Sequence, residues 1–266
     1  MSYKLVNLTP ESKGFRDNGE TYWNNEKAES EKAFNVEKFG LDIIEKTPRY
    51  IALYNQLDGI DRQINSSLAR GKILSIASGT CWLEAKWLRT RSFEKLVCVD
   101  FSRHRIHKLA PKTLEMYGLS GNITLCCGSV FDLEPEDDER FDVILLSQAF
   151  HHIEEPIRLL RLIRDILSPS GMVVIVGEPF FGMRTYFRRV IKHFIKYTIN
   201  WRGYRRLSAP FPGWQDLFPP DYNKGDIHYS LSDYEFLFRK SGFLNYKHSV
   251  DKTRQYQAFH LWKDKQ

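Results

Sequence analysis

Short apolar runs alternate with amphipathic stretches through the middle of the chain. The predicted strands lie at 73–77, 96–100, 123–126, 141–146 and 172–176, and the predicted helices at 82–88, 103–117 and 156–167. Apolar strands interleaved with helices are typical of a parallel sheet that is covered on both faces. Ligands of such sheets bind beyond the carboxyl ends of the strands, where the strand order reverses. We therefore expect the functional site in the loops that follow the first four predicted strands.

The two ends of the chain complete this arrangement. Helical periodicity starts at Phe34, breaks at Thr47-Pro48 and resumes from Tyr50, so we expect residues 1–70 to form a helical N-terminal lid segment. A late helix at 231–240 and two strands at 244–248 and 256–262 complete the list of predicted elements. We predict an α/β fold for residues 71–266: a Rossmann-like, doubly wound, mostly parallel seven-stranded sheet with helices on both faces.

Composition excludes several classes of protein. Hydrophobic residues make up 42% of the 266 residues and charged residues 27%, which is typical of a globular protein rather than a disordered one. The four cysteines are too few for a disulfide scaffold and form no CxxC pair, so we predict no metal site. No apolar run reaches the roughly 20 residues that span a bilayer, and the first residues lack the apolar stretch of a secretory signal. We expect a cytoplasmic protein.

Five stretches resemble, in order, the motifs of the class I S-adenosylmethionine-dependent methyltransferases. They are ILSIASGTC at 73–81, VCVDFS at 97–102, CGSVFDL at 127–133, FDVILLSQAFHHI at 141–153 and LSPSGM at 167–172. Each motif alone is weak, but five in this order are specific. The resemblance covers residues 71–178, and more loosely 225–263, and implies S-adenosylmethionine as the cofactor.

The resemblance also implies where the cofactor binds. The acid that ends the second strand, Asp100, can accept hydrogen bonds from both ribose hydroxyls, and Gly79 lets the backbone approach the ligand closely. The implied cofactor-binding residues are Ala77, Ser78, Gly79, Thr80, Asp100, Phe101, Ser129, Val130, Ser147 and Gln148.

Four positions depart from the family's pattern. Serines replace two acids, at Ser75 and Ser129, while Ala77 and Cys81 replace two loop glycines. A serine still offers one donor and can accept hydrogen bonds, whereas an alanine fits such a loop only if its φ is negative. These departures keep open a second hypothesis, a catalytically inactive binding module with the same fold.

Methyl transfer requires alignment and, for a hydroxyl or a protonated amine, a general base. His151 and His152 follow the fourth strand and His228 precedes the late helix, so these histidines are the catalytic candidates, although each could instead pack or bond locally. Glu178 could contact substrate or cap the following helix. The predicted substrate-binding residues are Tyr22, Trp23, Glu178, Arg184, Trp214 and Tyr222.

One segment carries the excess positive charge of +6. Eight Lys or Arg and no Asp or Glu lie between Phe180 and Gln215, and without them the chain would carry −2. Helical spacing predicts an apolar stripe beside a cationic stripe. The apolar stripe is Met183, Phe187, Val190, Ile191 and Phe194, and the cationic stripe is Arg184, Arg188, Lys192 and Lys196.

This segment lies in an insert at about 180–230, and several interpretations fit it. A substrate cap that faces an anionic acceptor fits the cations, a helix on an anionic membrane surface fits both stripes, and an RNA-binding patch fits the mixture of basic and aromatic residues. A solvated face or a contact in an oligomer would use the same pattern. We favour the cap, because the insert occupies the place where substrate selectivity is usually built in this fold.

These observations predict an S-adenosylmethionine-dependent methyltransferase for a small acceptor that is anionic or glycosylated. An oxygen acceptor is preferred over nitrogen, because residues 147–150 read SQAF instead of the Asn/Asp-Pro-Pro-Tyr run of nitrogen-directed members. The alternatives are the inactive module and an RNA methyltransferase, and nucleic acid is the less favoured partner because no separate RNA-binding domain is visible.

Overall fold

A computed structural model describes residues 3–8, 45–63, 71–133, 139–198, 212–221 and 225–263. Its strands are β1 (Lys4–Asn7), β2 (Lys72–Ile76), β3 (Lys95–Asp100), β4 (Ile123–Cys127), β5 (Phe141–Ser147), β6 (Leu167–Pro179), β7 (Asn245–Val250) and β8 (Tyr256–Trp262).

The helices follow the strands closely in sequence. They are α1 (Pro48–Gln63), α2 (Trp82–Leu88), α3 (Ala110–Met116), α4 (Pro156–Ile166), α5 (Met183–Thr198), α6 (Trp214–Leu217) and α7 (Leu231–Lys240). A π-helical turn at Arg105–Leu109 leads into α3, and 3₁₀ turns lie at Val130–Asp132 and Phe150–His152. None of the helices in the described part of the chain is long and apolar enough to cross a membrane.

The strands form one sheet in the order β1-β4-β3-β2-β5-β6-β8-β7. Strands β1 to β6 pair in parallel, and β8 is antiparallel to both β6 and β7. From β2 the order proceeds to β3 and β4 on one side and to β5 and β6 on the other, so the order reverses between β2 and β5. This confirms the predicted doubly wound α/β fold, and a ligand is expected to bind beyond the carboxyl ends of β2 and β5.

Within the described residues the sheet has eight strands, where the sequence predicts seven. The additional strand, β1, lies in the segment that the sequence analysis assigns to a helical lid, and that assignment is wrong for Lys4–Asn7, which pairs with β4. A strand of four residues with Leu5 42% exposed carries too little apolar alternation to be recognised. The predicted helix from Phe34 lies outside the described residues.

Alternate residues of each central strand enter two separate apolar layers. In β5, Val143 and Leu145 point to one layer, and Ile144 and Leu146 to the other. Residues of α1, α2 and α3 form the first layer with the sheet, and residues of α4 and α7 form the second. The sheet is therefore covered on both faces, and the carboxyl ends of its parallel strands are left to form the site.

Helix α1 lies against the carboxyl end of β6. The side chain of Gln56 accepts a hydrogen bond from the Gly177 amide at 3.1 Å, and a Cβ on Gly177, whose φ is +75°, would lie 2.0 Å from Leu53. Only a glycine permits this approach. The first turn of α1 is thereby placed beside the loops at the switch point.

Candidate functional site

Three residues of the loop that follows β2 have the left-handed backbone conformation. Ala77, Gly79 and Cys81 have φ values of 52°, 57° and 56°. Ala77 therefore has a positive φ, although an alanine normally requires a negative one. Ala77 and Cys81, which replace glycines, both keep the backbone conformation that favours glycine. Each left-handed residue with a Cβ costs about 1 kcal/mol, so the surrounding structure must hold this loop in place.

The Asp100 carboxylate holds this loop. One oxygen accepts a hydrogen bond from the Gly79 amide and the other from the Ser102 amide, each at 2.8 Å. The Ser78 amide also donates to the Val99 carbonyl at 3.1 Å. Asp100 therefore ties the loop after β2 to the loop after β3.

A second carboxylate, which the sequence analysis does not identify, lies beneath the same loop. Glu84 of α2 is buried, and its Oε1 atom lies 2.5 Å from the Ser75 hydroxyl, which donates to it. Burial raises the pKa of Glu84 to about 7, although the Ser75 hydrogen bond acts in the opposite direction. An acid is thus present beside Ser75, where the family's strand carries one. The signal in the sequence is a glutamate inside the otherwise apolar stretch WLEAKWL.

The predicted residues after β4 lie in a tight turn. Ser129 accepts a hydrogen bond from the Phe131 amide at 3.2 Å and so caps the 3₁₀ turn. Ser129 and Val130 are buried, while Phe101 after β3 is half-buried. The Gly128 amide donates to the Asp100 carbonyl at 3.1 Å, which joins this turn to the end of β3.

Two features of the β2 loop suit a ligand. The Thr80 hydroxyl is buried, and no residue that the structure describes offers it a hydrogen bond. The Arg105 guanidinium lies 3.5 Å from the position of a Cβ on Gly79, so it overhangs the loop. A buried hydroxyl without a partner and a nearby cation fit a polar, partly anionic ligand such as the amino-acid part of S-adenosylmethionine.

The loop after β5 is built around Glu178. This fully buried carboxylate accepts hydrogen bonds from the amides of Ala149, Phe150 and His151 at 3.1–3.2 Å. It also accepts one from the Tyr234 hydroxyl at 2.9 Å and lies 3.0 Å from His151 Nδ1. Glu178 therefore positions the loop instead of contacting substrate, which corrects the sequence-based expectation.

The pKa values of the two adjacent histidines of this loop are shifted in opposite directions. Burial alone would lower the pKa of His151, but the Glu178 carboxylate outweighs burial and raises it. The pKa of His152 is lowered, by burial first and then by the neighbouring His151. His152 Nδ1 lies 3.0 Å from an Asp226 oxygen. The lowered pKa favours the neutral imidazole of His152, which is the form that a general base requires.

His228 and the half-buried Gln148 complete the predicted set at this edge. The His228 ring lies 5.1 Å from the Phe181 ring, and burial lowers its pKa. Gln148 has a φ of 53°, and its amide donates to the Val176 carbonyl at 2.8 Å. The Arg49 guanidinium of α1 donates to the Gln148 side chain. Arg49 is therefore a further candidate residue of the site. The only signal for it in the sequence is the helix start at Thr47-Pro48 just before it.

Ligand atoms of His151, His152 and Asp226 lie within 4.8 Å of one another, which a metal ion could use. Both imidazoles are, however, already paired with carboxylates in this part of the structure. We interpret the group as an acid–base cluster, and the absence of a metal stays a prediction.

An aromatic cap follows β6. The Trp214 ring stacks on Phe218 at 4.3 Å, and its Nε1 donates to the His228 carbonyl at 2.7 Å. Arg189 of α5 lies 4.3 Å from the centre of the Phe218 ring and donates to the Leu217 carbonyl. The inward cation is thus Arg189, whereas the predicted Arg184 is exposed on the outer face.

Not all predicted substrate residues can be placed. Tyr22, Trp23 and Tyr222 lie outside the described residues. The predicted apolar stripe also divides in the structure, because Val190 and Phe194 are half-buried while its other members are exposed.

Residues 74–175 match the family described as "Methyltransferase domain". Over 112 residues the chain is 30% identical to the ubiquinone/menaquinone biosynthesis C-methyltransferase UbiE of Idiomarina loihiensis. The match covers 42% of this chain and 44% of that relative, so the chain spans less than half of the relative's length.

Solved structures share the fold. The DhpI–SAM–HEP complex superposes with a TM-score of 0.54 at 15% identity, over 95% of this chain and 99% of that chain. The mitomycin 7-O-methyltransferase MmcR superposes with a TM-score of 0.52 at 16% identity, over 84% of this chain and 60% of that chain. Residues 74–175 are therefore similar in sequence to a methyltransferase domain, and the chain shares its fold with solved methyltransferases.

Proposed function

We propose that the protein is an S-adenosylmethionine-dependent methyltransferase. The observation that carries the proposal is the Asp100 carboxylate, which joins the Gly79 and Ser102 amides at the carboxyl ends of β2 and β3, next to the point where the strand order reverses. Here Asp100 would accept the ribose hydroxyls of the cofactor, and the Thr80 hydroxyl and Arg105 would bind its amino-acid part. S-adenosylmethionine, when bound, supplies an electrophilic methyl group, and S-adenosylhomocysteine is the product.

The residues beyond the cofactor loops support a small polar acceptor. His152, held by Asp226 at 3.0 Å, would take a proton from an acceptor hydroxyl. The rings of Trp214 and Phe218 would stack on a ring or sugar, and Arg189 would attract a negative group beside them. We propose an oxygen acceptor on an anionic or glycosylated small molecule. MmcR acts on oxygen according to its name, whereas UbiE is a C-methyltransferase.

Calorimetric titration with S-adenosylmethionine and S-adenosylhomocysteine tests the proposal. We expect micromolar binding to the wild type and at least about tenfold weaker binding to Asp100→Asn, which keeps the shape of the side chain and removes the charged acceptor. Asp165→Asn, an exposed acid on α4, is the matched control and should bind like the wild type.

Two outcomes would overturn the proposal. Absence of binding at millimolar cofactor in a folded protein would favour the inactive binding module. Equal binding by the wild type and Asp100→Asn would show that the cofactor does not occupy this edge of the sheet. If the cofactor binds, acceptors are screened as anionic sugars and hydroxylated metabolites, with a structured RNA as the competing substrate class.

A further inference from the structure

The outer face of α5 carries a line of apolar residues that faces solvent. Its members, with their exposed fractions, are Met183 (72%), Phe187 (54%), Ile191 (56%) and Ile195 (47%). They recur at every fourth residue, so at 1.5 Å per residue the line is roughly 18 Å long. Helices in globular proteins normally turn such a stripe toward the core, and isolated apolar side chains at the surface rarely form a continuous row.

The opposite face of α5 supplies the helix's packing. The Tyr186 ring stacks on Trp214 at 6.3 Å with an angle of 15° between the planes. Arg189 packs over Phe218 at 4.3 Å. These contacts hold α5 on the cap without the exposed apolar line, and the regular spacing of that line along the helix therefore calls for a separate explanation.

A row of cations runs beside the apolar line. Arg184, Arg188 and Lys192 each follow one of its members by one residue, and all three are exposed. The helix contains no acidic residue from Met183 to Thr198. Adjacent apolar and cationic rows on one solvent-facing surface are the arrangement of helices that lie in a membrane interface.

We propose that α5 docks the protein on an anionic lipid surface. The apolar row would enter the boundary between headgroups and acyl chains, and the three cations would bind lipid phosphates. This proposal does not depend on methyl transfer, since it uses residues on the opposite face of α5 from Tyr186 and Arg189.

The same surface fits two other occupants less well. A second copy that packs antiparallel on this face about a two-fold axis across the helices would bring the two cationic rows together, and like charges would oppose that contact. An RNA backbone would satisfy the cations but would leave aliphatic side chains such as Ile191 and Ile195 without apolar contacts. An anionic bilayer satisfies both rows at once.

Vesicle sedimentation of the full-length protein tests the proposal. We expect binding to phosphatidylcholine vesicles with about 30% phosphatidylglycerol and little binding to phosphatidylcholine alone. At about fivefold per cation, Arg184→Gln/Arg188→Gln/Lys192→Gln should reduce the partition coefficient by about 100-fold. Phe187→Ser/Ile191→Ser should reduce it by at least about tenfold. Thermal unfolding confirms that each variant is folded.

The matched control lies on α7, where Phe236 is 52% exposed and Arg239 and Lys240 are exposed cations. Phe236→Ser/Arg239→Gln/Lys240→Gln should bind vesicles like the wild type. The proposal fails if the wild type does not bind anionic vesicles, or if the α7 variant loses as much binding as the α5 variants. It also fails if Phe187→Ser/Ile191→Ser abolishes a dimer in sedimentation equilibrium while leaving vesicle binding intact. Tight, salt-sensitive RNA binding with no vesicle binding would instead assign the cationic row to RNA.

Discussion

Replacement of Glu84 by Gln should stabilise the protein at neutral and alkaline pH. Glu84 is only 1% exposed, and its Oε1 atom lies 2.5 Å from the Ser75 hydroxyl. Burial first, and the nearby Asp100 carboxylate to a smaller extent, raise the pKa of Glu84 from 4.5 to about 7, although the hydrogen bond from Ser75 acts in the opposite direction. Gln keeps the carbonyl acceptor for Ser75 but has no charge to bury.

The sign of the effect follows from proton binding. Below pH 4.5 the carboxyl is protonated in both the folded and the unfolded protein, so it does not affect stability. Between pH 4.5 and about 7 only the folded protein keeps the proton, so the free energy of unfolding falls as the pH rises. At about 1.4 kcal/mol per pH unit, the loss reaches about 3 kcal/mol above pH 7 and then stays constant.

Urea unfolding across this range measures the effect. The stability gain of Glu84→Gln over the wild type should grow by about 3 kcal/mol between about pH 4 and about pH 8. Any fixed cost of packing the amide is the same at every pH, so it leaves this difference unchanged. Glu115→Gln, an exposed acid on α3, is the control and should show no such trend. A gain that is independent of pH, or that shrinks as the pH rises, would refute the reasoning.

Three further predictions follow from the site. Ala77→Gly should change the free energy of unfolding by less than about 1 kcal/mol, because relief of the left-handed alanine offsets the entropy of glycine. Ala77→Val introduces a β-branched side chain and should lower the free energy of unfolding by about 2 kcal/mol or more. Similar urea midpoints for both variants would contradict this. NMR titration should place the pKa of His152 below 6.5, and Asp226→Asn should lower it further, because the Asp226 carboxylate raises it; an unchanged value would exclude Asp226 as its partner. Glu178→Ala should cost about 4 kcal/mol near neutral pH, because it leaves three buried amides unpaired. The pKa of Glu178 is lowered because His151 outweighs burial, so the part of this contribution that depends on the charge is present above pH 4.5 and is lost as the pH falls through the lower folded value; a cost that is the same in acid as at neutral pH would contradict the role assigned to its charge.

The sequence is sufficient to predict most of the sheet because its central strands are uninterrupted apolar runs. The predicted helices at 82–88 and 231–240 match the structure's bounds, the second because Ser230 and Asp233 form a capping box. Strand β1 could not be predicted, since its stability comes from pairing with β4 and not from its own four residues. The local sequence pattern predicts elements that bury an apolar face of their own. It fails for an element such as β1, which is held by pairing with a strand that is distant in the sequence.

The site divides in the same way. Position along the strands is enough to select Asp100 and the histidine loop, because the carboxyl ends of parallel strands meet at one edge. The roles of Glu178 and Arg189 depend instead on three-dimensional contacts. The Glu178 carboxylate accepts hydrogen bonds from amides of the loop after β5. Arg189, and not Arg184, contacts the aromatic cap because of the way α5 packs on it. No spacing rule in the sequence distinguishes these orientations.

The departures from the family's glycine-rich loop are compensated by neighbouring residues and do not indicate a lost site. Ala77 and Cys81 adopt the left-handed turns that glycine would adopt, at a cost of about 1 kcal/mol each. Hydrogen bonds from the loop to Asp100 and Val99 oppose that cost. The acid missing at Ser75 is supplied by Glu84 from the helix that the loop leads into. A strained backbone and a buried carboxylate each lower stability, and such costs persist where the geometry that they maintain serves a function.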